Sequence, residues 1–274
     1  MQMKNMFKYY LSNKRRGISL IFVMALTVFS IYFVTSLVQS IFSTVEYSNI
    51  ACLNDFSFVY PVGGSSFLSD ETVEKIQKDD SVKKAYPILL EYTVINNIFG
   101  TTSGYVAFMD EADIGEIFDD YSLTVTEGRL PQENSYELIM HEDMLKNKGL
   151  SVGDTFGSAV DDGEPIEGTY TITGAFSGNS YMAFGTKSYK QKELEELGLD
   201  FKNTTFGLLV TPKTDLDAMN TMLDTMSHDE AAAMTLSYAQ KTLKDNVSSI
   251  KFLMGVIVIV IAVSISAAVC IVLE

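Results

Sequence analysis

Two stretches of the sequence contain no charged side chain. Residues 17–45 and 252–273 lack Asp, Glu, Lys and Arg. A helix needs about 20 apolar residues to cross the hydrocarbon core of a bilayer, so both stretches predict transmembrane helices. The first is longer than a bilayer requires, and Ser40 and Thr44 continue a polar stripe at i+4 along its second half. The stripe favours a helix that emerges from the membrane still packed, over one that ends at Ser43.

Between these spans, strand-like alternation and helix-like periodicity follow one another, which predicts an α+β domain. The strand-like segments are 56–60, ended by Pro61, then 86–95, 104–109, 137–140, 155–160, 169–176 and 205–211. The helix-like segments are 70–78, 110–120, 142–148 (ended by Gly149), 189–197 and 215–226. Residues 231–236 fit either a short final strand or the start of the next helix.

An apolar seam with a period of seven leads into the second span. Leu236, Leu243, Ile250 and Ile257 recur every seven residues, and a second set occupies the complementary heptad position. The seam predicts a stiff stalk helix that continues into the membrane; the alternative is an amphipathic helix packed on its own domain. Within the span, a small-residue pair at i+4 would permit close helix packing. The candidate packing residues are Leu236, Gln240, Leu243, Val247, Ile250, Met254, Ala262 and Ser266.

Charge sets the orientation of the chain. Residues 1–16 carry five Lys and Arg and no acid, and their pattern predicts a basic amphipathic helix or a frayed basic tail, followed by an elbow at Gly17. Residues 46–251 carry 15 Lys and Arg against 34 Asp and Glu, a net charge of −19. Short basic flanks stay in the cytoplasm, so the amino terminus is predicted inside and the acidic domain outside. A cleaved signal peptide is the alternative, although its apolar region is usually only about 7–15 residues.

Residues that would carry catalysis or bind metal do not form a recognisable pattern. His141 and His228 are the only histidines and lie far apart, so neither belongs to a metal-binding pair. Cys52 and Cys270 are predicted on opposite sides of a membrane, too distant for a disulfide. The acidic domain is a poor candidate for nucleic-acid binding, which needs clustered Lys and Arg. We therefore expect no enzyme activity, no cofactor and no metal.

Several motifs, in a fixed order, resemble the external core domain of the FtsX/MacB family of ABC-transporter permeases. They are Glu127-Gly-Arg-Leu-Pro131, Glu137-Leu-Ile-Met140, Gly149-Leu-Ser-Val-Gly-Asp-Thr-Phe156 and Thr171-Ile-Thr-Gly174. The order of basic segment, long helix, external domain and second helix is similar as well. The resemblance implies a ferredoxin-like split unit, formed by about 55–95 and 205–235, with a β-rich insert between its halves.

The resemblance also implies a function and partners. The chain would be a permease subunit in a bacterial cell membrane that transmits the motion of a separate cytoplasmic ABC ATPase to the external domain. It would contact membrane lipid, pair as a homo- or heterodimer, and serve export or extraction of peptide, lipid or lipoprotein-like substrates. The alternatives are a two-span sensor with an external ligand-binding domain and a division-type permease that regulates external hydrolases. The family continues with two more spans, so we expect the sequence ending at Glu274 to be truncated.

The predicted organisation follows from these points. The segments are a cytoplasmic basic segment at 1–16, a first transmembrane helix at 17–45, an external core domain at 46–236 with its insert at about 96–204, a stalk helix at 237–251 and a second transmembrane helix at 252–273.

Overall fold

Two long helices are the first and the last elements of the described chain. The structure, a computed structural model, describes residues 14–97, 100–198, 204–226 and 231–273. Helix α1 spans Lys14–Ile50, and the last helix, α7, spans Leu236–Leu273. The side chains of α7 are described at 236–245 and 255–263.

The chain divides into two compact units, with boundaries after Thr44 and before Thr242. The unit Val45–Lys241 contains the remaining elements. Its other helices are α2 (Asp70–Gln77), α3 (Glu111–Asp120), α4 (Glu142–Lys148), α5 (Ser188–Glu196) and α6 (Leu216–Asp224). Its strands are β1 (Ser57–Pro61), β2 (Val82–Pro87), β3 (Leu89–Asn97), β4 (Gly100–Met109), β5 (Thr124–Gly128), β6 (Glu137–His141), β7 (Thr155–Phe156), β8 (Tyr170–Ser177), β9 (Met182–Thr186), β10 (Leu208–Pro212) and β11 (Ala231–Met234).

Within the described part of the chain, one segment of α1, Ile21–Thr44, is long and apolar enough to cross a membrane, and none of it is buried inside the protein. Most side chains of the second predicted span, 252–273, lie outside the description, so that span stays a prediction. The predicted basic segment lies outside the described residues up to residue 13.

The predicted elbow at Gly17 is wrong, because α1 begins at Lys14 and passes through Gly17 without a break. A single helical glycine costs only about 1 kcal/mol relative to Ala, which a helix of this length tolerates. The same helix continues past Ser43 to Ile50, as the polar stripe predicts.

The smaller sheet is assembled from two β-α-β segments that are distant in the sequence. Its order is β11-β1-β10-β2, and each neighbouring pair is antiparallel. Helix α2 connects β1 to β2, and α6 connects β10 to β11. Strand β1 ends at Pro61, as the sequence predicts, and Pro61 is its last paired residue. There β1 has already left β10 and pairs only with β11, so the missing N–H of proline is tolerated.

The larger sheet is formed by the insert between those two segments. Its order is β3-β4-β9-β6-β8-β5, with β7 paired to β8. The pairs β4–β9 and β6–β8 are parallel, and the others are antiparallel. The strand predicted at 155–160 is only two residues long, because beyond Phe156 the chain turns into a loop. Helix α4 ends at Gly149 as predicted, with Gly149 at φ +68° as its C-cap.

Strict alternation along the strands divides the core into three apolar clusters. In β4, Tyr105 and Ala107 face the cluster between the two sheets, whereas Val106 and Phe108 face the cluster under α4. The smaller sheet also has two apolar faces, and on one of them Leu209 faces the larger sheet. Its other face packs against α2 and α6. The order of layers is therefore helices, smaller sheet, larger sheet, and α4 with its following loop.

Candidate functional site: the ends of the two long helices

The last turn of α1 packs on the N-terminus of α4. Tyr47 Oη donates to Asp143 Oδ2 at 2.9 Å, and its ring lies 5.1 Å from that of Tyr181. Burial, followed by the Asp143 carboxylate, raises the pKa of Tyr47, so the phenol stays protonated and remains a donor. Three residues further on, Ile50 is buried. We call these contacts the α1 junction.

The loop between β8 and β9 bonds to both α4 and the segment after α1 at this junction. His141 is buried and caps α4: its Nδ1 accepts from the Asp143 N–H at 3.2 Å. Because Nδ1 is an acceptor, Nε2 carries the proton and donates to the Gly178 carbonyl at 3.1 Å. In the same loop, Ser180 donates to Asp55, and burial raises the pKa of Asp55. His141 therefore fixes the start of α4 and the loop at Gly178 relative to each other.

The first turn of α7 is fixed by side-chain capping. The buried Thr235 accepts from the Tyr238 N–H at 3.2 Å. Both Thr235 and Ser237 donate to the carboxylate of Asp224, at 2.8 and 2.6 Å. Asp224 ends α6, and a carboxylate at a helix N-terminus also complements the helix dipole. We call this the α7 junction.

The candidate packing residues have different surroundings on either side of the α7 junction. Leu236 packs against the apolar cluster between the sheets, with Ala239 beside it. Gln240 is exposed, Leu243 is half-buried, and Ala262 is exposed. The remaining four lie outside the described side chains, and they are Val247, Ile250, Met254 and Ser266. The structure therefore joins only the first of these residues to the core.

The α1 junction was not predicted from the sequence. Tyr47 and Asp143 are 96 positions apart, and no local pattern indicates that they meet. The cap at Thr235 has a recognisable signal, since a Thr directly before a long periodic helix is a typical N-cap. Among the described residues, no group of three or more His, Cys, Asp and Glu side chains could hold a metal ion.

The motif residues behind the family resemblance hold the far edge of the larger sheet. Arg129 donates to both carboxylate oxygens of Glu137, at 2.7 and 2.6 Å. Its backbone N–H donates to the Thr173 carbonyl. Gly128 has φ +71°, and a Cβ there would lie 2.1 Å from that carbonyl, so only glycine fits. These residues join β5, β6 and β8 and serve the fold.

Acid should weaken this edge. The two bonds from Arg129 lower the pKa of Glu137 from its ordinary value of 4.5. A group whose pKa is lowered by folding stabilises the fold at higher pH, and that stability is lost as pH falls through the lowered pKa. The thermal midpoint of the wild type should therefore fall more steeply below about pH 4.5 than that of Glu137→Gln. Circular dichroism at several pH values measures both midpoints, and parallel curves would contradict the assignment.

No protein-family model matches the chain, and no curated protein matches its sequence. Solved structures do match. The periplasmic region of MacB from Actinobacillus actinomycetemcomitans is 12% identical with a TM-score of 0.40, over 71% of this chain and 94% of that one. The extracellular domain of the noncanonic ABC-type transporter YknZ from Gram-positive bacteria is 11% identical with a TM-score of 0.37, over 66% and 99%.

A third structure is a domain of a protein from Porphyromonas gingivalis described as a permease, 13% identical with a TM-score of 0.33, over 65% of this chain and 79% of that one. The chain is similar to external domains of transport proteins. They are of the class that the sequence resemblance names.

Proposed function

We propose that the chain is a permease subunit of an ABC transporter of the FtsX/MacB type, which transmits the motion of a separate cytoplasmic ATPase to an external domain. The observation that carries the proposal is the anchoring of both long helices in one folded unit. Helix α1 ends at a hydrogen-bonded aromatic contact, and α7 begins at a doubly bonded cap. Such ends suit helices that push or turn a domain.

The sequence around these helices supports the same proposal. A basic segment precedes an uncharged span, an acidic α+β unit follows, and the chain then enters a second uncharged span. Neither stretch contains Asp, Glu, Lys, Arg or His, and intramembrane charge is the usual mark of an ion or proton path. The two spans therefore suit a mechanical role better than conduction.

We further propose the finer organisation that the resemblance implies. The smaller sheet, with α2 and α6 in its two crossovers, is a ferredoxin-like split unit, and the larger sheet is its β-rich insert. Beyond the α7 junction, the seam at Leu243, Val247, Ile250 and Met254 packs against α1 or against a second permease subunit. The close-packing pair Ala262 and Ser266 would extend that contact into the membrane. Export or extraction of peptide, lipid or lipoprotein-like substrates is the corresponding activity.

Topology is the first test of the proposal. A reporter fused after Lys14 should be cytoplasmic, and one inserted between Asp161 and Asp162 should be external, because five basic residues precede the first span. A reporter inserted at Asp119–Asp120, also on the exposed surface of the acidic unit, serves as the matched control and should agree with the second. If the reporters at Lys14 and Asp161 lie on the same side, the proposed coupling across a membrane is wrong.

A further inference from the structure

The outer edge of β3 is an open strand edge. In the described part of the chain, β3 pairs with β4 alone. Lys148 Nζ donates to the Val94 carbonyl at 2.6 Å, so this carbonyl points away from β4. In an antiparallel pair, the N–H and C=O of one residue point to the same side, and that side alternates along the strand. The backbone groups of Leu90 and Tyr92 therefore point outward too, and no described residue bonds them.

On one face of this edge lies a patch of tyrosines. Tyr92 is 49% exposed and Tyr238 is 54% exposed. The ring of Tyr92 lies 5.4 Å from that of Tyr105, which is buried. Burial raises the pKa of Tyr60, and the electrostatic effect of the Tyr238 and Tyr92 hydroxyls raises it further. Exposed tyrosines that share a patch are typical of protein-binding surfaces.

On the other face lies a cavity of about 390 Å³. Its lining is mixed, with apolar and polar side chains in similar measure. The lining includes Val94, Lys148, Leu150, Phe156, Val160 and Asp161. The three donors of Lys148 are taken by Thr93, Val94 and Glu164, so this side chain is closed to a new anion. Asp161 has no ion-pair partner among the described residues, which leaves a negative charge at the cavity.

We propose that the β3 edge binds an extended, basic segment of a partner protein as an added strand. The backbone of the segment would bond Leu90 and Tyr92. Its side chains would alternate between the two faces: apolar ones would enter the cavity, and Arg or Lys would lie over the tyrosine rings. Strand addition takes affinity from main-chain bonds and specificity from pockets for alternate side chains, and cations over aromatic faces add to both.

Charge decides between a partner and a second copy of this chain. Residues 46–251 carry a net charge of −19, so two copies repel each other, whereas a basic segment is attracted. The proposal uses only the unit Val45–Lys241 and holds whether or not the chain couples to an ATPase.

The probe is the labelled peptide acetyl-TLRLRLT-amide, measured by fluorescence anisotropy with the full chain in nanodiscs at physiological salt. Three control peptides keep its charge. One has a scrambled sequence, and the other two are N-methylated on alternate residues, one in each register. The scrambled peptide and one N-methylated register should bind about tenfold or more weakly. A charge-reversed peptide, acetyl-TLELELT-amide, should not bind. Equal binding by the scrambled and both N-methylated peptides would overturn the proposal.

Protein variants locate the site. Tyr92→Pro removes an outward N–H at a strand edge, where proline is tolerated, and should weaken binding about tenfold or more. Tyr92→Phe keeps the ring and the N–H and should bind like the wild type. Thr126→Pro changes the exposed, bulged residue of β5 on the opposite edge and should have no effect. Unchanged binding by Tyr92→Pro, or a disulfide between two Tyr92→Cys copies, would contradict the proposed partner.

Discussion

Replacing Lys148 by Met should destabilise the unit Val45–Lys241 by about 3–5 kcal/mol. The Lys148 side chain is 10% exposed and its partner Glu164 is 2% exposed, with Nζ and Oε2 2.9 Å apart. Met keeps the volume and removes the charge, so the Glu164 carboxylate stays buried with Thr93 as its remaining side-chain donor. For a unit of this size, the loss corresponds to a fall of about 10 °C in the thermal midpoint.

The double variant distinguishes the loss of the ion pair from the cost of leaving the Glu164 charge buried without its partner. Lys148→Met with Glu164→Gln removes both charges and keeps an acceptor for Thr93, and it should recover most of the lost stability. Lys78→Met is the matched control, since Lys78 and Glu74 form an exposed pair, with side chains 75% and 64% exposed. It should not change the midpoint measurably. Circular dichroism of the full chain in detergent records all four. A double variant no more stable than Lys148→Met would contradict the account.

Replacing Tyr47 by Ala should uncouple α1 from the external unit while leaving that unit folded. Tyr47 is 40% exposed, so the core does not depend on it. The variant removes one hydrogen bond and the ring contact with Tyr181. Together these are worth about 2 kcal/mol, or roughly thirtyfold in the equilibrium between docked and undocked junctions. Tyr47→Phe keeps the ring and should lie between Tyr47→Ala and the wild type.

The docked state can be measured directly. Spin labels at Glu46→Cys and Lys146→Cys report the separation of α1 and α4, because both positions are exposed and the native Cys52 is fully buried. Cys270 is replaced by Ser in every sample. The distance distribution should be narrow in the wild type and broad in Tyr47→Ala. A narrow distribution in both would show that Tyr47 does not hold the junction.

Local periodicity predicted most helices but missed a central strand. Strand β9, Met182–Thr186, is buried along its whole length, so it lacks the alternation of inward and outward positions that marks a half-buried strand. Gly185 further weakens the pattern, yet it sits where a Cβ would lie 2.5 Å from Leu138. The helices α3, α4 and α6 each carry an apolar face and were predicted close to their observed bounds.

The hydrogen bonds at the α1 and α7 junctions join side chains from different elements of the fold. The heptad seam predicted packing along α7 beyond Leu236, whereas the described contacts of that helix lie at its start, at Asp224 and Thr235. At α1, the polar stripe predicted a helix that continues past Ser43 but gave no indication of Asp143, which a different helix supplies. Tertiary packing supplies Asp143 and Asp224 as partners, whereas the cap at Thr235 carries a local signal in the sequence.

We propose that motion of a cytoplasmic ATPase reaches the unit Val45–Lys241 through these helices. The most direct measurement is the distance from a spin label at Lys146→Cys to gadolinium lipids in the outer leaflet, in membranes that contain the assembled transporter. This distance should differ between nucleotide-free and vanadate-trapped states, and Tyr47→Ala should reduce the difference. An identical distance in both states, in membranes whose ATPase is active, would contradict the proposal.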